Sequence, residues 1–374
     1  MYIQSERNGT LEGLQKAIET TSSKNGVQSL CILACDANGF SPAETDPILR
    51  RISKPVFGGI FPSIIFKNER WENGSIVIGL SETVHYKVIE GLSDVDRDFE
   101  SAIDEQMTDI TDLKTLMVLV DGLGTRIASF IDGLFDVFGL EFNYFGGGAG
   151  SLDLVQKPCL FTNEGLVGDA ALLAPLSLKS GVGVSHGWES IEGPYKVTEA
   201  QGNVIKTLDW QPAFEVYRQV VEPHSEKVFE NSNFFDIAKA YPFGIAKMGA
   251  ERVVRDPLMC GDDNSLVCVG EVPEGSFVDI LNSEETALID AAGQALILAK
   301  KAYQGSEENR INFFIDCISR VLFLEDRFEE EINSVNEDNL PLVGACTIGE
   351  IANSGTDYLE FYNKTSVIAI LEDR

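Results

Sequence analysis

The segment Thr115–Ser151 decides the fold: it opens on TLMVLVDG (115–122), continues through TRIASFIDGLFDVFG (125–139) and closes on YFGGGAGS (144–151). An apolar run of strand length, an amphipathic helical stretch and a glycine-rich segment follow one another without a linker, which reads as a strand, a crossover helix and a tight glycine turn. The same order occurs twice more. Upstream, the apolar run Val27–Cys35 ends at Asp36, a helical stretch follows, and VFGGIFPS (56–63) leads into SIIFK and GSIVIGL. Downstream, INFFIDCISR (311–320) is followed by an acidic helical stretch, LVGACTIGE (342–350), LEFYN and TSVIAIL. The polar residue closing each first strand precedes a glycine by similar distances: Asp36 to Gly58, Asp121 to Gly146 and Asp316 to Gly344, or 22, 25 and 28 residues. Each interval is long enough for one crossover helix.

The expected fold class is therefore α/β, with mixed, largely antiparallel sheets flanked by helices and built from repeated strand–helix–turn–strand–strand units. The strand ends carrying Asp36, Asp121 and Cys317 are expected to gather at equivalent edges. Between the second and third units the pattern changes. Gly202-Asn203 sits between alternating segments as a hairpin signal, and short β-rich runs dominate beyond residue 240. The expected boundary lies near 205–225, giving modules over 1–210 and 211–374.

Composition narrows the function. Lys and Arg number 29 against 59 Asp and Glu, a net charge of −30, which repels nucleic acid and anionic membranes at long range. No apolar run reaches about 18 residues, the length of a membrane span, and the first residues lack a secretory pattern. The seven cysteines are scattered, without a CxxC pair, as in a reduced cytoplasmic protein without a structural zinc site.

Several residues invite chemistry. Gly146, Gly147, Gly148 and Gly150 allow close backbone approach to a ligand, although they follow a helix and precede a strand, the reverse of a dinucleotide fingerprint. A packed turn is the alternative. His186, in VSHGW, is flanked by a glycine and lies near Trp188; His85 and His224 are the only other histidines. Cys317 ends an apolar run, with Arg320 near enough to lower its pKa, or it is simply core. Glu350 and Asp121 fall at strand or turn edges. Arg252 and Arg255 suit a ligand carboxylate, or pairing with the surplus acids.

The chain resembles the FIST family over nearly its full length, on VFGGIFPSIIF, YFGGGAGS, VSHGW, VTEAQGNVIKTLDWQPAFEVY, VPEGSFVDI, FIDCISR, LVGACTIGEI and FYNKTSVIAIL, in that order. The resemblance implies an N-terminal and a C-terminal FIST module and a bacterial signal-input protein. It implies a small-molecule ligand and a partner such as a histidine kinase, a chemoreceptor or a cyclic-dinucleotide enzyme. It also implies pocket-lining roles for Gly147, Gly148, His186, Cys317, Arg320 and Glu350. One stand-alone branch, the NosP type, is regarded as sensing nitric oxide through haem b. On that reading His186 is the first candidate for the axial ligand and His85 the second candidate. A non-catalytic sensor is the leading expectation. A protein-binding adaptor and an enzyme using Cys317 are the alternatives, and the oligomeric state is open, a homo-oligomer included.

Overall fold

The computed structural model describes residues 1–107, 113–230, 232–247, 252–306, 309–337, 340–353 and 358–373. Its plan is one unit written three times. The first comprises strand β1 (Tyr2–Glu6), helix α1 (Leu11–Ser22), β2 (Ser29–Cys35), α2 (Pro42–Leu49), β3 (Val56–Phe61), the hairpin β4 (Ser63–Phe66) and β5 (Glu69–Trp71), and β6 (Ser75–Leu80). The second repeats the order with β7 (Lys87–Glu90), α3 (Phe99–Gln106), β8 (Thr115–Asp121), α4 (Ile127–Phe138), β9 (Asn143–Ala149), the hairpin β10 (Leu160–Thr162) and β11 (Gly165–Val167), and β12 (Ala170–Leu176).

The third unit starts at β13 (Ser180–Ser185) and is then interrupted by an insertion with no counterpart in the other two. It contains β14 (Glu189–Gln201), β15 (Val204–Leu208), β16 (Gln211–Pro212), α5 (Ala213–Ser225), α6 (Phe234–Ala238), β17 (Phe243–Ile245), β18 (Val253–Arg255), β19 (Pro257–Cys260), β20 (Leu266–Cys268) and β21 (Phe277–Asn282). These strands form their own sheet, and β14 and β15 make the hairpin expected at Gly202-Asn203. The unit resumes with α7 (Glu285–Ala302), β22 (Arg310–Cys317), α8 (Ile318–Leu324), α9 (Phe328–Val335), β23 (Leu342–Thr347), the hairpin β24 (Glu350–Ala352) and β25 (Glu360–Tyr362), and β26 (Ser366–Glu372).

Each unit forms a six-stranded sheet around one parallel pair, β2–β3, β8–β9 or β22–β23, with antiparallel neighbours on both sides. No unit keeps its own hairpin. β4–β5 joins β23 of the third unit, β10–β11 joins β3 of the first, and β24–β25 joins β9 of the second. The exchange is cyclic, so each sheet is completed by a neighbour.

The glycine segments are strands, not the expected turns. Gly58, Gly146 and Gly344 face Ile32, Val118 and Phe314 in the parallel ladders. A Cβ at Gly58 would lie 1.9 Å from the Ile32 carbonyl oxygen, at Gly146 1.8 Å from that of Val118, and at Gly344 1.9 Å from that of Phe314. Glycine in a strand interior marks such close backbone approach. This register makes Cys35, Asp121 and Cys317 equivalent. Asp36 therefore lies one residue beyond the shared position and Asp316 one before it, so the aspartates chosen as markers are out of step although the glycines are in step.

Helices cover the outer faces. α3 and α4 pack on the second sheet through Phe99, Ile103, Phe130 and Leu134, and α7, α8 and α9 on the third through Leu288, Leu296, Val321 and Ile332. Gly146→Ala forces a clash with backbone that cannot rotate away. A loss of roughly 3 kcal/mol or more is expected, read as a lower urea midpoint with an unchanged m-value.

Candidate functional site

The parallel strand pairs end at a common edge. There a cleft of about 660 Å³ opens, lined by Asp36, Pro62, Leu152, Phe235, Lys239 and one face of α8. Asp36 directly follows β2, Pro62 follows β3 and Ile318 follows β22. Ligands in open α/β folds sit outside such carboxyl ends. The α8 residues in the cleft wall are Ile318, Val321 and Leu322, with Glu325 next in line; this i, i+3, i+4, i+7 spacing is one helical face. The lining mixes these apolar groups with the Arg70–Glu72 and Lys239–Glu325 ion pairs, at 2.9 and 3.3 Å.

The opposite side of α8 carries Arg320, which has no exposed surface. Its guanidinium joins three elements and two loops. Nε lies 3.0 Å from Glu331 of α9 and 3.2 Å from Asp316 of β22. Nη1 donates to the carbonyls of His186 (2.7 Å) and Lys364 (3.2 Å), and Nη2 to that of Leu288 in α7 (2.8 Å) and to Glu331. Ser366 donates to Asp316 at 2.8 Å. Beside this hub Glu350 accepts from Thr347 Oγ1 (2.9 Å) and the Thr365 amide (3.2 Å), and Cys317 hydrogen-bonds to it. Lys364 Nζ pairs with Asp256 of the insertion at 3.1 Å and donates to the Lys239 carbonyl at 2.8 Å.

Five of the six residues expected to line a pocket belong to or border this network: His186 through its carbonyl, then Cys317, Arg320, Glu350, and Gly147, which stands opposite Glu350 across β9 and β24. Gly148 is adjacent, and its missing side chain admits the Ile348 carbonyl, 2.2 Å from where a Cβ would lie. The residues thus lie together, but buried behind the cleft wall. Sequence reasoning missed Glu331, Lys364 and Asp256; their partners are remote in the chain, and no local pattern announces them.

The electrostatics follow from burial. Burial raises the Glu350 carboxyl to about 8, and raises Asp316, where the neighbouring Glu331 adds to the shift. It raises Glu331 and Asp256 as well. The Cys317 thiol is pushed well up by burial and then by Glu350, while Arg320 is occupied by two carboxylates. The expected activation of Cys317 is therefore reversed, and a thiol held protonated is a poor nucleophile. Arg252 pairs with Asp279, and Arg255 donates to the carbonyls of Glu271, Val254 and Phe361. Neither is directed at a ligand carboxylate.

His186 does not fit axial ligation of haem. Its Nδ1 accepts the Trp188 amide hydrogen at 2.8 Å, which places the ring proton on Nε2. A metal-bound histidine has the opposite polarity, donating from the nitrogen that does not bind metal. Burial, with Arg320 nearby, holds this imidazole neutral down to about 3. His85 is exposed ahead of β7, and His224 in α5 is exposed with Nδ1 3.0 Å from the Tyr241 hydroxyl. Among the described residues no cluster of metal-binding side chains occurs, and no helix is long and apolar enough to cross a membrane.

Family models agree with this architecture. A FIST N domain model matches residues 29–211 and a FIST C domain model residues 213–353. An uncharacterized protein, MJ1623 of Methanocaldococcus jannaschii, is 24% identical over 266 residues, covering 64% of this chain. The chain spans about half of that relative, 46% of its length. Haemin added to the native chain and to His186→Ala is expected to give the same visible spectrum; a Soret band lost in the variant would contradict the ring polarity described above.

Proposed function

Because the chain belongs to the FIST family, whose domains are associated with sensory signalling, we propose that it is a non-catalytic sensory protein that binds a small organic ligand in the cleft beside α8. The observation that carries this reading is the cleft's position at the carboxyl edge where the units meet, walled by one apolar helical face. A mixed lining of Leu152, Phe235, Ile318 and Leu322 with flanking ion pairs suits a molecule with an apolar body and polar ends. The buried, protonated Cys317 speaks against the enzyme alternative. On this reading the output passes to a partner signalling protein, of the kinds the family resemblance implies.

The mechanism rests on α8 having two faces. A ligand against Ile318, Val321 and Leu322 presses on the helix whose other side holds Arg320. Lys239 couples the same two regions, since its Nζ donates to the Leu322 carbonyl and its own carbonyl accepts from Lys364. A small displacement of α8 is thereby felt in α7, α9 and the insertion, because a fully packed ionic hub has few intermediate arrangements.

A thermal-shift screen of small metabolites, followed by titration of each hit, tests the site. Leu322→Glu and Phe235→Ala are expected to weaken a genuine ligand at least tenfold, about 1.4 kcal/mol. A ligand whose affinity ignores both substitutions binds elsewhere and removes the proposal.

A further inference from the structure

The repeat supplies an internal control for the buried charges. The position of Asp316 is occupied by Ala34 in the first unit and Val120 in the second. Glu350, opposite Gly147, has Leu160 opposite Gly59 and Ile64 opposite Ala345 as its counterparts. The fold therefore builds these positions with aliphatic side chains in two places out of three. Charges in the third are not required by the architecture, and burying them is unfavourable.

Their number is also unbalanced. Asp256, Asp316, Glu331 and Glu350 supply four carboxyls, whereas Arg320 and Lys364 supply two cations, and all six side chains have no exposed surface. Asp316 and Glu331 share Arg320 and Ser366; two buried carboxyls crowded on one guanidinium favour holding a proton between them. Glu350 faces Cys317 from β22, Thr347 from β23, Arg320 from α8, the amide of Thr365 before β26, and glycine alone from β9; Tyr362 of β25 stands opposite it in the ladder. His186 and Arg252 adjoin the Arg320 side of the hub. Full ionisation would leave two uncompensated negative charges in the interior, so the network retains protons instead.

We infer that this network is a proton-binding switch, holding α8 and α9 in place while protonated and loosening them as the protons leave. It goes beyond the ligand reading: it requires α8 to be the cleft wall, whatever the cleft binds. The sign follows from burial raising the native carboxyls. In the folded chain Glu350 keeps its proton up to about 8, whereas in an opened segment it ionises near its ordinary value of about 4.3. Between those limits opening releases a proton and becomes easier as pH rises, by about tenfold per pH unit for each proton released.

Hydrogen exchange of the native chain between pH 5 and 7, corrected for intrinsic exchange, reads this directly. The opening constant of residues 318–335 is expected to rise at least tenfold per pH unit, and by one factor of ten less in Glu350→Gln. A flat profile in the native chain, or an unchanged slope in Glu350→Gln, overturns the inference. Should that variant not fold, calorimetric unfolding of the native chain at pH 7 in buffers of different ionisation enthalpy decides. Net release of protons supports the switch, and no release overturns it. No metabolite is added, so this result is independent of whether the cleft binds one.

Discussion

Everything in this structure depends on a cyclic exchange of hairpins. Each unit builds a parallel strand pair with a crossover helix and then passes its next two strands to another unit's sheet. A parallel pair with one open edge is a poor stopping point, because the unpaired N–H and C=O groups there need partners. The exchange satisfies all three edges at once. Within each unit the two strands of the parallel pair also come close, and Gly58, Gly146 and Gly344 admit that approach at one register position, so the same residue type appears three times for the same steric reason.

That arrangement locates the site as well as the fold. Carboxyl ends of strands from different units converge on one edge, and the cleft lies there. The third unit alone carries an insertion and alone replaces aliphatic positions with buried acids. In that insertion Asp256 reaches Lys364 of the third unit, so the extra sheet and the extra charges form one assembly. Coincidence of these two departures from the repeat is the strongest indication of where the molecule does its work.

Much of this was legible in the sequence, and the limits have physical causes. Strand runs such as TLMVLVDG and INFFIDC are apolar on both faces, so their burial could be read directly. The glycine segments are visible in the sequence, but their pattern fits a tight turn as well as a close strand crossing, because glycine permits both; only the neighbouring backbone distinguishes them. Hairpin exchange could not be read, since local pattern does not reveal which sheet a strand joins. Arg320, Cys317 and Glu350 could be singled out as polar groups beside apolar runs. Their partners Glu331, Lys364 and Asp256 could not, because each pairing is set by tertiary contact. His186 illustrates the reverse: its motif suggested a ligand, whereas one backbone hydrogen bond from Trp188 fixes the ring the other way round.

The central claim is that the three units are interlocked and stand or fall together. Differential scanning calorimetry of the full chain tests it most directly, through the ratio of calorimetric to van't Hoff enthalpy. Interlocked units predict that β4–β5, β10–β11 and β24–β25 leave their host sheets in one cooperative transition, with a ratio near 1. Two separate transitions, one for residues 1–210 and one for 211–374, would contradict it.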